Sequence, residues 1–167
     1  PEKCAIIPFD IDDIVEQIVG IETSAIWNKV IVGNKDLPIG RLIEALDNAD
    51  WVNQGRKHLR EDGVCPFCQK QTITDELKKQ LNAFFSGEYE QDVNLIKQFI
   101  SQYGAYTDGL LRRINTLRTS LGSYPAAGIE ASKLDSIIEL LNGYFSKNKA
   151  EMLIKEKEQG RIILLTE

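Results

Sequence analysis

Apolar residues recur along this chain at helical rather than alternating spacing, and the pattern is most regular in the second half. Tyr89, Ile96, Tyr103, Leu110 and Leu117 lie seven apart, with Val93, Ile100, Thr107, Ile114 and Leu121 interleaved at the other core position. Two such series on one helix make a heptad seam. A helix from Tyr89 to Leu121 would be about 50 Å long at ~1.5 Å per residue, longer than an ordinary globular helix, and predicts an arm. Gly122-Ser-Tyr-Pro-Ala-Ala-Gly128 is the densest cluster of breakers, and a second series, Leu134, Ile138, Leu141, Phe145 and Met152, begins just after it. So short a connection predicts antiparallel neighbours. Asn148 and Lys155 fall on seam positions of the second series. Its far end is therefore expected either to fray or to be specified by polar pairing.

The first half is less regular. Ala5-Ile-Ile-Pro-Phe9 is a short apolar run, and Phe9 to Val19 has a helical rhythm that Gly20 is expected to end. Asp36-Leu-Pro-Ile39 reads as an N-cap with Pro just inside a helix, and Leu42, Ile43, Leu46, Val52 and Leu59 carry that helix as far as Glu61. Gly63 breaks it and Cys65-Pro-Phe-Cys68 forms a turn. Thr72 or Thr74 caps the next helix, which carries Leu77, Leu81, Phe84 and Phe85. After Gly160, the run Arg161-Ile-Ile-Leu-Leu-Thr166 reads as a strand or the entry to a further domain. The expected fold is all-α: a helical base over 1–87, an antiparallel coiled-coil hairpin over 88–159, and a linker over 160–167 with room for a short strand.

Composition narrows the function classes. With 167 residues and 43% hydrophobic content, the chain suffices for one core plus an extension. Twenty basic against 25 acidic side chains leave a net charge of -5, so no global field draws it to phosphate backbones or anionic membranes. No apolar run approaches the roughly 18 to 20 residues of a membrane span, and the opening Pro1-Glu-Lys-Cys4 lacks the apolar stretch of a signal peptide. A cytoplasmic location is expected, and the absence of an initiator Met suggests a segment of a larger protein.

Candidate chemistry is sparse. The only histidine, His58, is expected on a helix with no nucleophile motif beside it, and reads as a surface or packing residue. No Gly-x-x-x-x-Gly-Lys-Ser/Thr loop is present, and Gly33-Asn-Lys35 lacks the upstream glycine and the hydroxyl residue, so no bound nucleotide is expected in this segment. Asp10, Asp12 and Asp13 complement a helix dipole more readily than they hold a metal. Arg112, Arg113 and Arg118, with Lys97 further back, form a basic stripe without interleaved aromatics. Flanking a seam, Arg113 and Arg118 are expected to cover it and pair with Glu across the hairpin.

Cys65 and Cys68 carry the pointed signal. Two thiolates two residues apart on a turn occupy adjacent corners of a zinc tetrahedron. They supply half of a four-ligand site, and Cys4 and His58 would have to converge from elsewhere to complete it internally. Completion by a second copy, two thiolates from each, makes the pair a dimerisation hook with one zinc shared between two chains. A redox dithiol and a plain structural turn remain open as alternatives.

Ile26-Trp-Asn-Lys-Val-Ile-Val-Gly33, Leu42-Ile-Glu-Ala-Leu46, Asp50-Trp-Val-Asn-Gln-Gly55 and Cys65-Pro-Phe-Cys-Gln69, leading to Phe84-Phe85 and Tyr89, give the chain a family likeness. Over about residues 26–89 it resembles the helical middle region of AAA-domain ATPases related to the bacterial anticodon nucleases, themselves similar to SMC and ABC ATPases. The resemblance implies Walker motifs in flanking sequence and, at Cys65 and Cys68, a zinc hook like that of an SMC-like double-strand-break repair ATPase. It places the anticodon nuclease's catalytic residues in a separate carboxy-terminal domain, so none is carried over. The implied role is a non-catalytic insertion that links ATPase halves and mediates self-association, with flanking ATPase domains and a second copy as partners and no membrane. Contact with nucleic acid or a regulator through the hairpin, or thiol redox chemistry, are the competing roles.

Overall fold

Six α-helices and two short 3-10 turns make up the regular structure among residues 9–124 and 128–166, the residues that the computed structural model describes. The chain is all-α. The helices are α1 (Asp12–Glu22), α2 (Pro38–Ala45), α3 (Ala49–Arg56), α4 (Asp75–Phe84), α5 (Glu88–Ser120) and α6 (Ala131–Lys157). Cys4, the run from Ala5 to Pro8 and the middle of the breaker cluster, Pro125 to Ala127, lie outside the described residues.

The chain divides into two compact units. One, the cysteine unit, comprises Ile26–Lys97 and Ile154–Ile163; the other, the long-helix unit, comprises Pro1–Ala25, Gln98–Leu153 and Leu164–Glu167. Both long helices contribute residues to each unit.

In the cysteine unit, Trp27, Ile31, Ile43, Leu81, Phe84, Phe85, Tyr89 and Ile96 are buried, with α2 lying against α3 and α4. Phe85 meets Phe84 and Tyr89 edge-on at 4.7 and 5.0 Å between centroids, and the Arg56 guanidinium covers its ring at 5.0 Å. The chain passes so close to this cluster at Gly33 that a Cβ there would fall 2.2 Å from the Phe84 ring.

The single helix expected from Leu37 to Glu61 is two. Asp47 takes a left-handed φ of 47°, which no helix continues through, and α3 restarts after Asn48. The break changes which residues face inward: Ile43 is buried, whereas Leu42 and Leu46 are 60% and 57% exposed. Pro38 opens α2 as expected, but the N-cap is Leu37, without a side-chain bond. For α4 the cap is Thr74, whose Oγ1 accepts the Leu77 N–H at 3.2 Å.

The strand expected after Gly160 is not formed. Ile163 N–H donates to the Trp27 carbonyl at 3.0 Å and Ile31 N–H to the Gln159 carbonyl at 3.2 Å, which sets the two stretches alongside each other. Between those bonds the carbonyls of Lys29 and Arg161 both accept from Lys155 Nζ, so a side chain takes the place of backbone donors. Lys155 is fully buried, accepts no company from solvent, and also donates to the Gln159 carbonyl at 2.9 Å. Burial lowers its pKa against the opposing pull of Asp50 and Asp92. Beside it, Asp50 Oδ1 accepts the Gln159 N–H at 3.1 Å, and Asn53 donates to Tyr89 Oη, which donates to Gln159 Oε1.

In the long-helix unit, α5 and α6 run antiparallel: the Tyr103 and Phe145 rings meet edge-on at 6.0 Å, and Arg118 forks onto Asp135 nearer the connection. Ile14, Ile18 and Ile21 of α1 are buried with Tyr103, Leu110, Ile114, Leu117, Leu134, Phe145 and Met152. The expected stop at Gly20 does not occur, because Ile21 is one of those buried residues and carries the helix two residues further, to Glu22. Glu22 is itself buried and accepts from Tyr103 Oη at 2.6 Å, Tyr144 Oη at 3.1 Å and Asn148 Nδ2 at 2.9 Å. Burial, and then the bond to Glu22, raises Tyr103 far above the usual tyrosine range.

Candidate metal half-site at the Cys65–Cys68 turn

The segment from Gly63 to Ile73 folds back on itself for local reasons. Gly63, with φ +72°, lets the chain leave the turn after α3, and the Ile73 N–H donates to its carbonyl at 3.0 Å. One antiparallel bridge joins Val64 to Gln71, and Cys65 N–H donates to the Lys70 carbonyl at 2.8 Å. Gln69 N–H closes on the Cys65 carbonyl at 2.9 Å, and Gln69 takes a left-handed φ of 56°. Its Nε2 donates to the Pro66 carbonyl at 2.8 Å, a local bond that offsets the strain of that backbone.

This frame points backbone donors at a sulfur. The N–H groups of Cys68 and Phe67 both reach Cys65 Sγ and hold its thiol below the usual range, with Cys68 and the Thr72 hydroxyl adding side-chain bonds. Cys65 is half-buried and Cys68 exposed. Such a turn offers two sulfur ligands and suits zinc in donor chemistry. It does not complete a tetrahedron: among the described residues no group of three or more His, Cys, Asp or Glu gathers as a metal set. His58 lies in the turn after α3 rather than on a helix, is exposed, and is not brought to the sulfurs.

The aromatic neighbour of the sulfurs escaped the sequence reading. Phe67, between the two cysteines, stacks on Trp51 of α3 at 6.0 Å between centroids and 27° between planes. Its place inside the motif was visible; its pairing with a residue sixteen positions earlier was not.

The other candidates settle elsewhere. Asp12 and Asp13 stand in the first turn of α1, and Asp10 Oδ1 accepts the Asp12 N–H at 3.2 Å. Arg113 bonds the Asp10 carbonyl and Asp13 at 2.7 and 3.0 Å, not a Glu across the hairpin, and Arg118 takes Asp135. Arg112 and Lys97 are exposed.

A family model described as an AAA domain matches residues 4–165, and the chain belongs to that family. No curated protein and no solved structure matches it. Within the match the sequence holds no phosphate-cradling glycine loop. No helix among the described residues is long and apolar enough to cross a membrane.

Proposed function

We propose that the chain is a non-catalytic helical insertion of a larger AAA/SMC-like ATPase, linking its ATPase halves and mediating self-association through zinc shared between Cys65 and Cys68 of two copies. Family membership and the all-α architecture support the ATPase context. The observation that carries the self-association is the Cys65–Cys68 turn, preorganised by backbone donors and supplying two ligands where zinc takes four. Zinc bound there would draw two chains together and would be released in acid as the thiolates protonate.

Native mass spectrometry with zinc and with a chelator, on the wild type and on a Cys65→Ser/Cys68→Ser variant, tests this. One metal per two chains, lost with the cysteines, is expected; one metal per single chain refutes it. A second reading, a thiol redox unit, draws on the same lowered Cys65 thiol. Reversible formation of a disulfide within one chain, unaffected by zinc, would favour it. Nucleic-acid contact through the long helices has less support, because Arg113 and Arg118 are already paired with Asp13 and Asp135.

A further inference from the structure

The Trp51–Phe67 pair is the least expected feature of the surface. Large apolar side chains exposed singly are ordinary, and Leu140 and Leu164 are of that kind. Here two aromatic rings stack on each other while remaining 58% and 74% exposed, so the contact between them hides only one side of each. Trp27, by contrast, is 1% exposed, which shows that this unit has core room for an indole and leaves Trp51 outside it.

We infer that Trp51 and Phe67 form the apolar contact surface by which a second copy of this chain seats against the Cys65–Cys68 turn. This rests on the shared-metal reading above, and the occupant follows from geometry. Phe67 is covalently adjacent to Cys68, with about 3.8 Å between their Cα atoms. Four sulfurs around one zinc lie roughly 4 Å apart, given Zn–S bonds near 2.3 Å. Any chain whose cysteines complete the site therefore passes within a side chain's length of Phe67. If the two copies are related by a two-fold axis, each presents the same rings to the other, and surfaces of like kind meet. Rings of this type, desolvated around a fixed anchor, are where interface energy concentrates.

The test uses the whole chain with zinc ion as the only added ligand. Sedimentation equilibrium is run with zinc or chelator on the wild type, Phe67→Ser, Phe67→Leu and Trp51→Phe, after circular dichroism has established equal helix content. Trp51 emission is followed in parallel, Trp27 being already buried. Zinc should dimerise the wild type and move Trp51 emission to the blue, a shift absent from Trp51→Phe. Phe67→Ser should still bind zinc through its thiolates but dimerise roughly tenfold or more weakly, with Phe67→Leu in between. Zinc-linked dimers of equal affinity in Phe67→Ser, or unmoved emission on dimerisation, would overturn the aromatic surface and leave the shared metal standing. Dimers that form without zinc, survive loss of the cysteines and fail in Phe67→Ser would support the surface while removing the metal. Zinc held by monomers with unchanged emission would remove both.

Discussion

Asn148 holds Thr166 by both of its backbone groups: the Thr166 N–H donates to Oδ1 at 2.9 Å, and the Thr166 carbonyl accepts from Nδ2 at 2.8 Å. The same Nδ2 donates to Glu22 at 2.9 Å, and none of the Asn148 side chain reaches solvent. A polar residue on an apolar seam is thus fully satisfied, and its cost is offset by the segment it fixes.

Asn148→Ala should cost about 1 to 3 kcal/mol, because it leaves the Thr166 N–H without its partner, while the Thr166 carbonyl keeps Tyr144 and the Glu22 oxygen keeps Tyr103. Asn148→Asp should be worse at neutral pH, since it keeps the acceptor for Thr166 but sets a second carboxylate against Glu22. Urea melts of both variants check the order, and faster amide exchange at Thr166 should accompany either. Equal stability of wild type and Asn148→Asp would mean the site is open to water.

Gly33→Ala should destabilise by about 3 kcal/mol or more, because the new Cβ would meet both the ring and the carbonyl of Phe84, at 2.2 and 2.5 Å. Phe84 is 2% exposed and braced by Phe85, so neither atom can retreat cheaply. Gly143→Ala is the control: nothing lies within 4 Å of its Cβ position in α6, and it should stabilise by roughly 0.5 to 1 kcal/mol. Thermal melts moving in opposite directions would bear out both.

What the sequence disclosed and what it hid divide by the range of the interaction. Tyr89, Ile96, Tyr103, Leu110 and Leu117 are all buried, as a seven-residue spacing on a helix implies, because that inference needs only local periodicity. Asp47 breaks a helix whose apolar rhythm runs on through it, since an aspartate's tolerance of left-handed backbone leaves no mark in hydrophobic spacing. Lys155 and Asn148 were recognisable as polar seam residues, yet their partners are backbone groups of Lys29, Arg161 and Thr166, which only tertiary folding brings near. At the Cys65–Cys68 turn the ligand spacing was plain, whereas Thr72 and Trp51 entered through the loop's return and the placement of α3.

Alkaline pH should weaken the fold through Tyr89. Burial, first, and the charge of Asp50 raise its pKa from 10.0 to about 12. Between those values the unfolded chain has lost the proton and the folded chain keeps it, so the native state binds more protons and stability falls as pH rises. The contribution is complete below pH 10 and gone above about 12. Tyr89→Phe should therefore show a shallower loss across that window. Tyrosinate absorbance should place Tyr89 near the upper end; ionisation at the ordinary tyrosine value would contradict its burial.

The antiparallel pairing of α5 and α6 makes a last, directional demand. Leu110 of α5 is 5% exposed and Leu140 of α6 is 72% exposed, so one substitution in two places should give two different answers. Leu110→Asp buries a carboxylate where an apolar side chain is 5% exposed. It should cost about 3 kcal/mol or more, and the melt should recover partly in acid as the carboxyl is neutralised. Leu140→Asp leaves its charge in water and should shift stability by no more than about 0.5 kcal/mol. The contrast separates burial at the seam from any general intolerance of these helices to aspartate, a poor helix former at both positions. Equal losses at the two sites would mean that helix propensity, and not the packing of α5 in this unit, governs the response; a silent Leu110→Asp would mean its side chain faces solvent.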